Sequence, residues 1–184
     1  FIPQKNIDIT GKTITLGSSG YLSEGNYRLY GTSGTISTTR TLGTLSSSTN
    51  IGGLGFEIKS TSDLGSTTIT RGMAAQSTGG LSNPISRYYD VTSVGGGTRD
   101  IVFHYNEAEL TGSESNLSLF KSTNSGTNWS LIPTTVRNTT NNTVSKTGLT
   151  SFSRFTLADE GSPLPVELQS FLATTKNNKV IITW

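Results

Sequence analysis

The chain has 184 residues, 14% of them charged, with a formal net charge of +2, 21 glycines and no cysteine. So small a charge, carried by scattered Lys and Arg, excludes the electrostatic footprint that nucleic-acid binding requires. Without cysteine there are no disulfides, thiolate metal sites or cysteine nucleophiles, and without a run of about 18 apolar residues there is no membrane span of helical length.

Ser, Thr, Gly and Asn are abundant, as in disordered chains. Regularly spaced β-branched and aromatic residues, together with the low net charge, predict a folded β protein instead. Residues 1–16 read as a β-hairpin: Ile7 and Ile9 alternate with polar residues before a Gly11-Lys12 turn, Ile14 and Leu16 after it. Gly17–Asn50 contains short alternating pieces, Tyr27–Tyr30 and Gly34–Ser37, which fit short strands or the rungs of a small β-solenoid. Strands are predicted at Phe56–Lys59 and Thr67–Arg71, a loop at Met73–Asn83, and strands at Ser86–Val91 and Asp100–Tyr105. In the last of these, Ile101, Phe103 and Tyr105 share one face and Val102 and His104 the other. A helical turn is expected around Glu107–Leu110. Asn116–Lys121 and Asn128–Pro133 form a hairpin over Ser122–Thr127, and Thr143–Ser145 and Ser151–Leu157 complete the series.

No window repeats its apolar residues every 3.6 positions. The fold class is therefore all-β. The expected architecture is an antiparallel β-sandwich with Greek-key-like connections, a Gly/Ser/Thr-rich N-terminal β region and a strand-like C-terminal tail. Three segments follow. Residues 1–50 are a hairpin and short-strand region packed on the main domain, 51–160 the sandwich, and 161–184 a Pro-containing linker with terminal strands. Phe56, Tyr89, Phe103, Trp129 and Phe155 are expected in the core, each able to bury roughly 150–250 Å².

Residues that could carry chemistry are sparse. The single histidine, His104, lies inside a strand, and Asp100 and Glu107 do not complete a metal set with it. A Ser-His-Asp triad would need His104, and no G-x-S-x-G elbow is present. Glu57, Asp90 and Glu109 are the carboxylates that could converge as a glycosidase pair, which stands about 5–10 Å apart. Asn106, Glu107, Glu109 and Glu114 offer oxygens for a loop calcium ion, without the EF-hand spacing. The sequence thus predicts no catalytic, metal-ligating or cofactor-binding set, and the chain reads as non-enzymatic. Glycosylation sequons at Asn116, Asn128, Asn138 and Asn141 are what chance produces in so Asn-, Ser- and Thr-rich a chain.

Ser122–Trp129, S-T-N-S-G-T-N-W, resembles the Asp-box of sialidases and other propellers, S-x-D-x-G-x-T-W. Asn124 stands in place of the Asp and Asn128 in place of the Thr. The resemblance implies a structural hairpin turn in which Asn124 caps the bend, Gly126 permits it and Trp129 anchors it.

Six further segments occur in a characteristic order: NIGGLGFEI (50–58), LGSTTITRG (64–72), ISRYYDV (85–91), IVFHYNEAEL (101–110), LSLFKSTNSGTNW (117–129) and SFSRFTL (151–157). In that order they resemble a module of large surface and secreted Bacteroidetes proteins. PLPVELQSFLAT (163–174), followed by NKVIITW, is similar to the linker and first strands of a fibronectin-III-like region preceding a type IX secretion sorting domain. The resemblance implies an exported, extracellular or cell-surface, adhesin-like structural module with no activity of its own. Val180, Ile181, Ile182 and Trp184 are the expected assembly strand. Added to a neighbouring copy's sheet, that strand would make the chain a filament subunit partnered by other copies of itself. The alternative expectation is a carbohydrate-binding β-sandwich module of a secreted multidomain enzyme, contacting surface glycans through Tyr21, Tyr27, Tyr30 and Tyr88.

Overall fold

A computed structural model describes residues 1–161 and the backbone of two further strands near the C-terminus. Strands are numbered in chain order. One sheet has seven strands in the order β11 (Ser130–Leu131), β10 (Leu117–Ser122), β14 (Arg154–Asp159), β8 (Tyr88–Ser93), β7 (Gly65–Gly72), β4 (Thr35–Leu42) and β2 (Thr13–Leu16). The other has five: β12 (Val136–Asn138), β13 (Thr143–Leu149), β9 (Arg99–His104), β6 (Phe56–Ser60) and β5 (Leu45–Asn50). The chain passes repeatedly from one sheet to the other, and all pairs but β2–β4 are antiparallel in these two sheets. The fold is an all-β sandwich.

Its core follows from the two-residue period of the strands. In β9, Arg99, Ile101 and Phe103 are buried while Asp100, Val102 and His104 are half-buried. Phe56 and Phe103 come from the five-stranded sheet, Tyr89 and Phe155 from the seven-stranded one, and they meet between the two. The Phe56 ring centroid lies 4.9 Å from Tyr89 and 5.9 Å from Phe155, and Tyr89 stands 4.8 Å from Phe103. The tyrosine hydroxyl, which could not be buried unsatisfied without cost, donates to the Leu54 carbonyl at 2.6 Å. Trp129 is buried elsewhere. It packs with Phe120, Ala158, Leu81 and Leu131 in a small separate cluster. Phe120 and Ala158 alternate with Leu119 and Leu157 of the main core, so this cluster covers the outer face of β10 and β14.

The N-terminal segment differs from the expected hairpin. β1 (Ile7–Asp8) and β2 do not pair with each other. β1 lies parallel to β3 (Leu29–Tyr30), and β2 lies parallel to β4. The two pairings share one offset, 22 residues, which also separates the partners in the bonds Arg28 N to Asn6 Oδ1, Thr32 N to Thr10 Oγ1 and Gly11 N to Ser33 Oγ. Farther back, Ser23 N donates to the Phe1 carbonyl at 3.0 Å. Residues 1–16 are thus one rung stacked in parallel on a second, residues 23–38. The second rung runs on into the sandwich, because β4 pairs with β2 on one side and antiparallel with β7 on the other. Residues 35–50 supply β4 and β5, one strand to each sheet, so this part of the predicted N-terminal region is integral to the sandwich.

β15 (Leu172–Lys176) and β16 (Lys179–Thr183) form a two-stranded hairpin of their own. Val180, Ile181 and Ile182 of the expected assembly strand pair there with Thr175, Thr174 and Ala173. Trp184 lies outside the described residues.

Candidate binding groove

Buried charge decides which side chains are free to act. Three arginines continue the inward faces of their strands: Arg71 after Thr67 and Ile69, Arg87 before Tyr89 and Val91, Arg99 before Ile101 and Phe103. A guanidinium taken out of water needs an anion and hydrogen-bond acceptors. Arg71 reaches both oxygens of Glu24, at 2.6 and 3.1 Å. Arg87 grips Glu109 at 2.6 and 3.1 Å and donates to the His104 carbonyl at 2.9 Å. The second carboxylate oxygen of Glu109 accepts from Asn106 N, closing a capping box on the 3-10 turn Glu107–Glu109. This network ties the second rung to the sandwich, since Glu24 also accepts from Leu29 N at 2.7 Å.

Arg99 has no such partner among the described residues. One amino group donates to the Gly95 carbonyl at 3.3 Å, and the guanidinium carbon lies 4.3 Å over the Phe152 ring. Its buried Nε meets no acceptor. Burial without a counter-charge pushes the Arg99 pKa down. Lys121 stands nearby, donating to the carbonyl and hydroxyl of Ser151 at 3.1 and 2.6 Å. Its pKa is also pushed down, by burial and then by the Arg99 charge. Two cations therefore flank the Thr150–Ser153 loop, and neither forms an ion pair among the described residues.

That loop and the Gly95-Gly96 turn border an open cleft of about 430 Å³, with Arg99, Phe152, Thr92 and Ser93 in its wall. The turn is tight by necessity: a Cβ on Gly95 would run into the Asp63 carbonyl. A second cleft, of about 260 Å³, shares Val91, Thr92 and Ser153 with the first, so the two form one groove. Its far end holds Arg154, bound to Asp90 through two bonds of 2.7 and 2.6 Å and stacked 4.4 Å from the Tyr88 ring. The hydrogen bond to Asp90 raises the Arg154 pKa, against burial.

Ser122–Trp129 borders this second cleft. Asn124 Oδ1 accepts from Asn128 N at 2.9 Å and from the Ser122 hydroxyl at 2.9 Å. Gly126 takes a φ of 92°, open to glycine, and its carbonyl accepts from the Trp129 indole at 3.1 Å.

The carboxylates singled out from sequence are held by three different side chains. Glu57 meets His104 at 2.8 Å on the five-stranded sheet, Asp90 meets Arg154 and Glu109 meets Arg87. Asp100 accepts from Gly148 N, and Glu114 from the Tyr105 hydroxyl. Among the described residues, no three His, Cys, Asp or Glu side chains converge as a metal set. Tyr21, Tyr27 and Tyr30 are exposed, and Arg28 lies 5.2 Å over the Tyr30 ring. Arg71, Arg87, Arg99 and Lys121 were not singled out from the sequence, although strand parity places the three arginines inward. Comparison with protein-family models, with curated proteins and with solved structures returns no match.

Proposed function

We propose that this chain is a structural or adhesive module of an exported, cell-surface multidomain protein, without catalytic activity of its own, that joins a parallel stack of rungs to a β-sandwich. The observation that carries this reading is the constant 22-residue offset between the first two rungs. A parallel stack leaves its outermost rung with unpaired backbone groups, and β2 is such an edge. The apolar side chains of that rung are incompletely covered. Ile7, Ile14 and Leu16 are half-buried, while Phe1 and Ile2 are 59% and 64% exposed. A further parallel rung, with apolar residues at the same positions, would pair with this edge and cover them. The buried ion pairs support a structural role, since Glu24 and Glu109 are engaged in holding arginines. The ordered segments that resemble Bacteroidetes surface modules support the cellular setting.

A second copy of residues 6–27 inserted before Asn6 tests this reading. The expected product is a monomer with one cooperative unfolding transition, in which the amides of the original Thr13–Leu16 gain protection from hydrogen exchange. An inserted copy that is digested while the original edge stays unprotected would sink the proposal. Carbohydrate binding is the second reading, favoured by the hydroxyl-lined groove rather than by the exposed tyrosines.

A further inference from the structure

Arg71, Arg87 and Arg99 share one design, an arginine on the inward face of a strand. For two of them the chain supplies the carboxylate. For Arg99 it supplies a carbonyl, an aromatic ring and an adjoining cleft. Arg71 has an unpartnered Nε as well, yet its two amino groups are bound to Glu24. Only at Arg99 does a buried guanidinium among these three face a cleft with no anion of the protein's own.

We propose that the Arg99 cleft binds an oxyanion, the carboxylate or sulfate group of an acidic saccharide. This inference rests on the groove and is independent of the rung-stacking reading. Arg99 provides a flat, delocalised cation whose plane is held by Phe152, the arrangement that suits carboxylate and sulfate groups. Lys121 adds a second positive charge behind Ser151. An anion in the cleft would compensate the buried Arg99 charge and be attracted at longer range by Lys121. Thr92, Ser93, Thr150 and Ser151 border the same space with hydroxyl groups suited to a sugar ring. The cleft volume, about 430 Å³, falls within the range of small-ligand sites. Its continuation toward Arg154 and Asp90 gives room for a neighbouring sugar unit.

The test is a titration of isotope-labelled protein, followed by amide and arginine side-chain resonances, at constant ionic strength. The probes are methyl glucuronide, methyl glucoside, sodium sulfate and sodium acetate. The expected result is a saturable shift of Gly95, Gly96, Ser151 and the Arg99 Nε–H with glucuronide, and none with the neutral glucoside. Glucuronide binding tighter than sulfate and acetate identifies an acidic saccharide as the ligand. Equal or tighter binding of the simple ions overturns the saccharide and leaves a site for a free oxyanion. Loss of a hydrogen bond to a charged group makes binding about tenfold weaker or more in Arg99→Met. Arg99→Met replaces a buried unpaired charge by an apolar chain of similar length and is expected to fold. Lys121→Met, farther from the core, provides an independent check and is expected to weaken binding less. The whole proposal fails if no anion shifts these resonances, if glucoside binds as well as glucuronide, or if both variants bind unchanged.

Discussion

At the scale of single residues, Glu24 shows how the buried network reports on pH. Burial pushes its pKa up, but the charge of Arg71, the hydrogen bonds from Arg71, the charge of Arg87 and the bond from Leu29 outweigh burial and hold it below the ordinary value of a glutamate. A carboxylate with a lowered folded-state pKa stabilises the fold above its unfolded value and loses that contribution as pH falls through the folded one. Urea midpoints are therefore expected to be flat with pH above about 5 and to fall below about 4.5, with a shallower fall in Glu24→Gln. Equal slopes in the two proteins would remove Glu24 from the network. These pairings were not legible in the sequence. Strand parity places Arg71, Arg87 and Arg99 inward, but only the folded chain brings Glu24 to Arg71 across 47 positions. The Ser122–Trp129 turn is the opposite case. Its bonds span at most a few positions, so a local pattern of Ser, Asn, Gly and Trp carries most of its geometry.

At the scale of elements, the first two rungs are held by a close approach that glycine alone permits. A Cβ on Gly34 would meet the carbonyl of Ile9. Gly34→Ala is expected to cost about 1–3 kcal/mol, the usual range for an overpacked site. It should also speed hydrogen exchange at Ile9 and Thr35, whose amides donate to the Tyr30 and Lys12 carbonyls. Gly43→Ala, where nothing lies within 4 Å of the added atom, is the control and should exchange as before. An unchanged Gly34→Ala protein would mean that the rungs can separate without loss. Part of this stacking could be read from the chain. Gly11-Lys12-Thr13-Ile14-Thr15 and Ser33-Gly34-Thr35-Ile36-Ser37 are spaced by the offset that aligns Thr13 with Thr35. One approximate repeat is a weak signal, however. A glycine turn between two alternating segments has the same appearance whether the chain folds back or climbs to the next rung.

At the scale of the whole molecule, the sandwich was the most legible feature. Alternation in Phe56–Lys59, Ser86–Val91 and Asp100–Tyr105 reflects a physical constraint, one buried face per strand, that acts within each segment. Sheet order was not legible, because neighbours such as β6 with β9, or β8 with β14, are chosen by packing between distant segments. The groove was missed for the same reason: its walls come from β8, the Gly95-Gly96 turn and the Thr150–Ser153 loop. The place of β14 in the larger sheet gives the molecule a mechanical polarity. β14 is clamped on both sides, with six register pairs to β10 and three to β8, whereas β1 has one neighbour over two residues. Tension applied between the ends of the described domain would peel the first rung away bond by bond before it reached the longer ladders that hold β14. Single-molecule stretching is expected to show an early, low-force yielding of residues 1–16 before a higher-force rupture of the sandwich, and a single rupture without the early step would refute it. A chain built in this way would act as a graded tether, extending slightly under a light pull while its anchored end stays folded.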